Sequence, residues 1–406
     1  MRHYITLFLL LFCSLSIFAS QKITLLFVGD AMQHAPQINS AERPEGKYDY
    51  SECFEHIRNE VKSADISVVN LETTHAGKPY TGYPVFSAPD EFSAELQRSG
   101  FNLFVIANNH SADKGKKGIE RTIDVLDSLK IMYTGTFKDL VARDSTYPLL
   151  VEKNGFRLAF LNYTYDTNGL PVTTPNIVNE ISDKTILQDI EKAKTLNPDL
   201  IIACLHWGIE YQRTPSKEQR RLAKLMIDNG VQVIIGSHPH VIQPMEGVLN
   251  SDKSTYKSIV AYSLGNFISN QNDRYTDSGA MVKISIEKDE ENNVNITNCA
   301  YSLVWRYRYY ENGKRHYTLI PAYIFDNHPE TVQPALQARM KEAFTDARKL
   351  LEKHNLHINE YIFNPNEADI PTNDFDDNQH IIETLIIQTD NVPESVQERI
   401  QVEIEE

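Results

Sequence analysis

The residues that could do chemistry fall in five short runs. They are Gly29-Asp30-Ala31-Met32, Asn70-Leu71-Glu72, Asn108-Asn109-His110 with Asp113 and Gly115 behind it, His206-Trp207-Gly208, and Gly236-Ser237-His238-Pro239-His240. Asp30 and Glu72 offer anionic oxygens, Asn109 a neutral carbonyl, and His206, His238 and His240 imidazole nitrogens. This mixture suits Zn²⁺, Mn²⁺ or Fe²⁺ and is too rich in nitrogen for Ca²⁺ or Mg²⁺. Six ligands exceed what one tetrahedral ion takes, whereas two ions sharing a carboxylate would use them all. Two such ions can clamp an anionic centre and activate water between them. His110 is then free for acid–base or charge-stabilising work beside them.

Taken singly, each run has a plainer use. Asp30 could cap a turn, Glu72 could be a surface carboxylate, and Asn108-Asn109 could form a turn because Asn tolerates left-handed backbone. His206 beside Trp207 could be a hydrogen-bonded core histidine. His238-Pro239-His240 is the most specific, since side chains two apart on an extended chain face the same way. The remaining histidines (His34, His56, His75, His316, His328, His354, His357 and His380) read as loop or polar-helix residues. Among them His34 and His75 follow closely on Asp30 and Glu72.

The elements that must position these runs are legible as alternating patterns. Apolar, β-branched stretches at Ile23–Val28, Ile66–Asn70, Leu103–Ala107, Leu158–Asn162, Leu200–Leu205, Val231–Ile235 and Ile259–Tyr262 predict strands buried on both faces. Glu52–Lys62, Gly118–Leu129, Lys184–Leu196 and Lys217–Asp228 carry helical spacing. Ser182/Asp183 and Ser216 are placed to cap helices at the start, and Gly230 at the end. The alternation predicts an α/β fold. Five of the predicted strands deliver the five runs at their carboxyl ends, where open α/β sheets collect ligands. The runs therefore predict one pocket. Further on, Met281–Glu287, Val294–Val304 and Tyr317–Phe325 read as antiparallel strands. Glu330–Lys353 reads as an amphipathic helix, and the aromatic and arginine stretch Trp305–Tyr310 as packing rather than sugar stacking.

The predicted organisation is a signal peptide over 1–20, a main domain over 21–327, a C-terminal helix over 328–355 and an acidic, partly flexible tail over 356–406. Ile5–Phe18 is apolar after a short positive start and is followed by Ala19 and Ser20, as in an export signal that is cleaved or kept as an anchor. The expected location is the periplasm or cell surface, with no transmembrane helix in the mature chain. Net charge is −15, but Glu360–Glu406 holds 13 acidic residues against Arg399 alone, so the main body is close to neutral. A nearly neutral body without a basic face excludes nucleic acid as a partner. The tail would repel a polyanion, which would have to approach the pocket face instead. Of the four cysteines, Cys13 lies in the predicted signal segment; the remaining Cys53, Cys204 and Cys299 are odd in number and widely spaced, which excludes a disulfide framework or a CxxC site.

Together with Ser263-Leu264-Gly265-Asn266-Phe267 and Glu210-Tyr211, the five runs resemble the CapA-type poly-γ-glutamate capsule-synthesis family in order and spacing, over about Lys22 to Asp277. That family is related to calcineurin-like metallophosphoesterases. The resemblance implies a four-layer sandwich, two mixed β-sheets flanked by helices. It places Asp30, Glu72 (bridging), Asn109, His206, His238 and His240 at metal positions for one or two ions of Mn, Fe or Zn, and His110 at the catalytic position. Asn70, Asn108, Asp113, Trp207, Glu210, Tyr211 and Asn266 become pocket or substrate candidates. Met32 stands where the phosphoesterases carry a second histidine after the first strand, which depletes one metal site. The implied function is a metal-dependent hydrolase acting on an envelope polymer or phosphoester. The alternative is a non-catalytic factor that binds an envelope polymer, its precursor or a membrane-bound synthase complex.

Overall fold

The apolar run Ile23–Val28 lies inside a strand spanning Gln21–Ala31 in the computed structural model, which describes residues 21–366. Leu25 and Phe27 enter one apolar cluster and Leu26 and Val28 another, the alternation of a strand covered on both faces. This strand begins a parallel group that continues through Ile66–Leu71, Leu103–Val105 and Met132–Thr134. A second parallel group comprises Phe156–Thr164, Leu200–His206, Val233–Ser237 and Tyr256–Ala261. Two long antiparallel strands, Ser278–Lys288 and Val294–Glu311, join the groups. Hydrogen bonds therefore run through one mixed 15-stranded array.

The two parallel groups pack on each other, since Leu25, Phe27 and Val68 share a core with Leu158, Ile202 and Val233. Helices cover the other faces. Phe92, Leu96, Ile119 and Ile123 from Asp90–Arg98 and Gly115–Ser128 meet the first group. Ile186, Ile190, Leu222 and Met226 from Asp183–Thr195 and Lys217–Asp228 meet the second. Ser216 closes a capping box on the latter helix: its Oγ accepts from Gln219 N, and its own N–H donates to Gln219 Oε1.

Three departures from the sequence reading have local causes. Glu52–Lys62 splits into a 3₁₀ turn, Ser51–Phe54, and a short helix, Arg58–Lys62. Glu52 is held from across the fold by Tyr309 Oη, His316 Nδ1 and Thr318 Oγ1. The strand placed over Tyr317–Phe325 instead runs Lys314–Pro321, and Pro321 then opens the helix Ala322–Asn327; proline's missing donor ends the ladder. Residues 356–366 of the segment read as tail are part of the described fold. Asn359–Glu360 pairs with Val294–Glu311, and Tyr361 Oη donates to Glu60 Oε1 at 2.7 Å. The predicted signal segment and the acidic stretch past residue 366 lie outside the described residues.

The helix Pro334–His354 seats Met340, Phe344 and Leu351 in the core shared by the two groups, so it belongs to the main body. Trp305 and Tyr307 are buried in that same core. With Tyr309 and His316 they stack at 5.6, 4.5 and 5.0 Å. Cys53, Cys204 and Cys299 are free. No helix among the described residues is long and apolar enough to cross a membrane.

Candidate metal centre

Two glycines bring the strand ends together. A Cβ on Gly29 would lie 1.9 Å from Gly265 O, and one on Gly236 would lie 2.0 Å from Tyr262 O. Without side chains there, Asp30 N donates to Gly265 O at 3.0 Å and Leu264 N to Gly236 O at 3.1 Å. The first strand and the His238 loop thus close on the Asn266–Ile268 strand.

Asp30, Glu72 and His206 each offer one donor atom, all within 4.8 Å of one another. His206 Nε2 is 2.9 Å from Asn109 Oδ1 and 3.6 Å from Glu72 Oε1. His240 Nδ1 is 3.3 Å from Asp30 Oδ2, and its Nε2 is 4.0 Å from Glu72 Oε1. The His238 ring sits 4.8 Å from that of His206 and 6.0 Å from that of His240. The structure thus brings together Asp30, Glu72, Asn109, His206, His238 and His240, and all six are buried.

The cluster is short of positive charge and of donors. Both Glu72 oxygens and His238 Nδ1 are buried without a hydrogen-bond partner. Burial first, and then the Asp30 carboxylate, hold Glu72 well above the usual carboxylate range. Burial and the His238 ring push His206 well below the usual imidazole range. Burial and His240 push His238 down to about 3. Neutral imidazoles and an orphaned carboxylate are the donor set a divalent cation requires, so the residues fit one.

The other candidates divide by what they touch. Asn70 Nδ2 donates to Asp30 Oδ1 at 2.8 Å and lies 3.2 Å from His206 Nδ1. Asn108 donates to Leu71 O and accepts from His110 N. Both asparagines hold the cluster in place. His110 Nδ1 is 2.8 Å from Asp113 Oδ2, which also accepts from Phe86 N, and the Phe86 ring packs edge-on against the imidazole at 4.5 Å. Asn266 Oδ1 is 3.1 Å from His240 Nδ1. Glu210 and Tyr211 stand half-exposed at the mouth; Tyr211 lies 6.0 Å from the His240 ring. Trp207 is not a pocket residue. Its ring packs on Tyr262 in the core, and its Nε1 donates to Tyr262 O.

Nor is His238-Pro239-His240 extended. The histidines have φ of 97° and 58°, a left-handed bend seldom adopted by such residues and concentrated at functional sites. His75 and His34 stay outside the cluster. His75 is a satisfied core residue, with Nδ1 3.2 Å from Ala88 O and Nε2 2.6 Å from Ser93 Oγ. His34 Nδ1 accepts from Asn270 N at 3.3 Å.

The sequence reading missed Tyr165. Its ring lies 4.4 Å from that of His238, and its N–H donates to His206 O. The signal was available: Phe156–Thr164 is a sixth strand ending at the pocket, and Tyr165 is the next residue. Asn168 was missed too, where its Oδ1 accepts from Asn109 Nδ2 at 3.2 Å.

Fold and site define an α/β protein with a buried oxygen- and nitrogen-donor cluster at its parallel strand ends. The chain matches the model of the bacterial capsule synthesis protein PGA_cap over residues 24–271, and it belongs to that family. It is 31% identical over 281 residues to the capsule biosynthesis protein CapA of Bacillus anthracis, covering 65% of this chain and 64% of that one. It is 30% identical over 207 residues to the PGA biosynthesis protein CapA of Bacillus subtilis (strain 168), covering 50% and 51%. The match thus spans about half to two thirds of these relatives' lengths. Among solved structures, Haemophilus influenzae NAD nucleotidase aligns with a TM-score of 0.45 at 14% identity, covering 92% of this chain and 68% of that one. The calcineurin-like phosphoesterase YfkN of B. subtilis aligns at 0.41 and 13%, covering 70% and 91%.

Proposed function

We propose that this chain is a metal-dependent hydrolase of the cell envelope that acts on a capsule-type polymer, its precursor or a phosphoester. The observation that carries the proposal is the pair of Glu72 oxygens, fully buried and without a donor beside an equally unpartnered His238 Nδ1. An ionised carboxylate in that state costs several kcal/mol unless a cation meets it. Glu72, Asn109, His206 and His238 would hold one ion of Mn, Fe or Zn, and Asp30, Glu72 and His240 another. Bound there, such ions supply Lewis acidity and a nucleophile at neutral pH.

The chain's own residues do the rest. The Asp113 carboxylate can only accept, so His110 Nδ1 carries the proton between them. His110 Nε2 is left to take up or deliver a proton at the leaving group, a contribution of roughly 10²–10⁴ in rate. Tyr165 covers His238 and limits water at that end of the pocket. The names of the Bacillus relatives support a capsule polymer as the setting, and with it export and work beside a membrane-bound synthase.

A second reading is favoured by Met32, a buried thioether in the depleted wall: a factor that binds polymer or synthase through the same pocket without turnover. The His110→Ala variant separates the two. Loss of hydrolysis of a phosphodiester or polymer probe, with metal content unchanged, supports the enzyme. Capsule-type polymer that survives His110→Ala but not deletion of the whole chain selects the binding factor.

A further inference from the structure

Glu72 divides the donors into two groups. On one side stand Asn109 Oδ1, His206 Nε2 and the unpartnered His238 Nδ1. On the other stands His240, with Asp30 reaching both sides: it offers a donor atom within 4.8 Å of those of Glu72 and His206, and its Oδ2 is 3.3 Å from His240 Nδ1. That side is one donor short. We infer that Glu210 supplies it, so that Asp30, Glu72, His240 and Glu210 together form the second divalent-cation site. The inference rests on the metal reading of the pocket given above.

The geometry around His240 carries the argument. Asn266 Nδ2 donates to Gln271 Oε1 at 2.9 Å and to Thr276 O at 2.8 Å. Its Oδ1 must therefore face His240 Nδ1, which donates to it at 3.1 Å. Partners of this kind fix the tautomer of metal-binding histidines. Nε2 then presents its lone pair between two carboxylates, 4.0 Å from Glu72 Oε1 and 3.9 Å from Glu210 Oε1. Donors that share an ion at about 2.0–2.2 Å stand roughly 3–4 Å apart. The Nε2 lone pair and the two carboxyl groups converge on one position, and Glu72, buried with neither oxygen hydrogen-bonded, points to the same position for a cation.

Glu210 is held at the right place yet can move. Its loop is tied to the histidine loop by Trp207 N to Ser237 O at 3.1 Å and by Tyr211 N to Pro239 O at 2.8 Å. The turn needs positive φ at Gly208 and Tyr211, 96° and 65°. The Glu210 side chain is 45% exposed, so a rotamer change can close it over an ion without moving the backbone.

The test is manganese binding, read without any substrate. The chelator-stripped chain is titrated with Mn²⁺, counted by elemental analysis after gel filtration, and examined by electron paramagnetic resonance, which separates an isolated ion from a coupled pair. Wild type takes two equivalents and shows the coupled pair. Glu210→Gln keeps one, shows the isolated-ion signal, and binds the second at least ~10-fold more weakly. Its melting temperature in chelator stays that of wild type, because the side chain is half-exposed. Two equivalents and an unchanged coupled signal in Glu210→Gln overturn the inference, as does a single equivalent in both proteins. No metal in the wild type with Mn, Fe or Zn overturns the metal reading of the pocket itself.

Discussion

The two sides of Glu72 are built differently. The side of Asn109, His206 and His238 is enclosed, with a tyrosine ring over it and each donor residue on a separate strand end or the turn that follows. The side of His240 faces Glu210 and Tyr211, which are half-exposed. On the proposed metal reading, the difference predicts a fixed, tightly held position beside an adjustable one. Rigid imidazoles whose charge is suppressed by burial suit permanent occupancy, whereas a mobile carboxylate suits an ion that comes and goes.

The change that should erase the comparison altogether is Glu72→Gln. Glu72 faces both sides, so metal content should fall to near zero on both, as elemental analysis would show; retention of one ion would mean that the sides are independent. His110→Ala tests a different partition, chemistry against occupancy. Turnover should drop about 10²–10⁴-fold with both ions kept, and unaltered turnover would remove His110 from its assigned role. Asn266→Ala sharpens the contrast, because it removes only the group that orients His240. The weaker manganese step should lose about 10–100-fold in affinity while the tighter one holds, and equal losses in both steps would contradict the division.

The smallest effect concerns His75, a histidine as buried as those of the pocket but with both ring nitrogens partnered. Burial pushes it down to about 4 from an ordinary 6.5. Between those values the unfolded chain binds a proton that the folded chain does not, so stability falls as pH falls, by about 1.4 kcal/mol per pH unit. The contribution is complete above 6.5 and changes no further below about 4. In His75→Gln, urea unfolding of the metal-loaded protein should show a shallower pH dependence by that amount in this window. An identical profile would mean that His75 takes up its proton in the fold at the same pH as in the unfolded chain.

Much of this arrangement could be read from the sequence, because strands buried on both faces announce themselves as unbroken apolar runs. The residue after each run then falls at a carboxyl end, which is how Asp30, Glu72, Asn109, His206, His238 and His240 could be named together. What could not be read depends on contacts across the fold. Nothing in His238-Pro239-His240 signals a left-handed bend, which is stabilised by the packing of neighbouring loops. Trp207 adjoins His206 in sequence, but alternation along the chain turns its ring toward Tyr262. Tyr165 lies just past Thr164, two residues beyond the end that the apolar run Leu158–Asn162 suggests. The joining of the two parallel groups into one array depends on long antiparallel strands whose pairing is set by register, not composition.

The central claim, that this strand-end cluster is a metal centre, is met most directly by elemental mass spectrometry. The samples are the chain beginning at Gln21 and its His238→Ala/His240→Ala variant, each reconstituted with Mn, Fe or Zn. Two equivalents in the first, largely lost in the second, are the predicted result. No metal in either protein would contradict it.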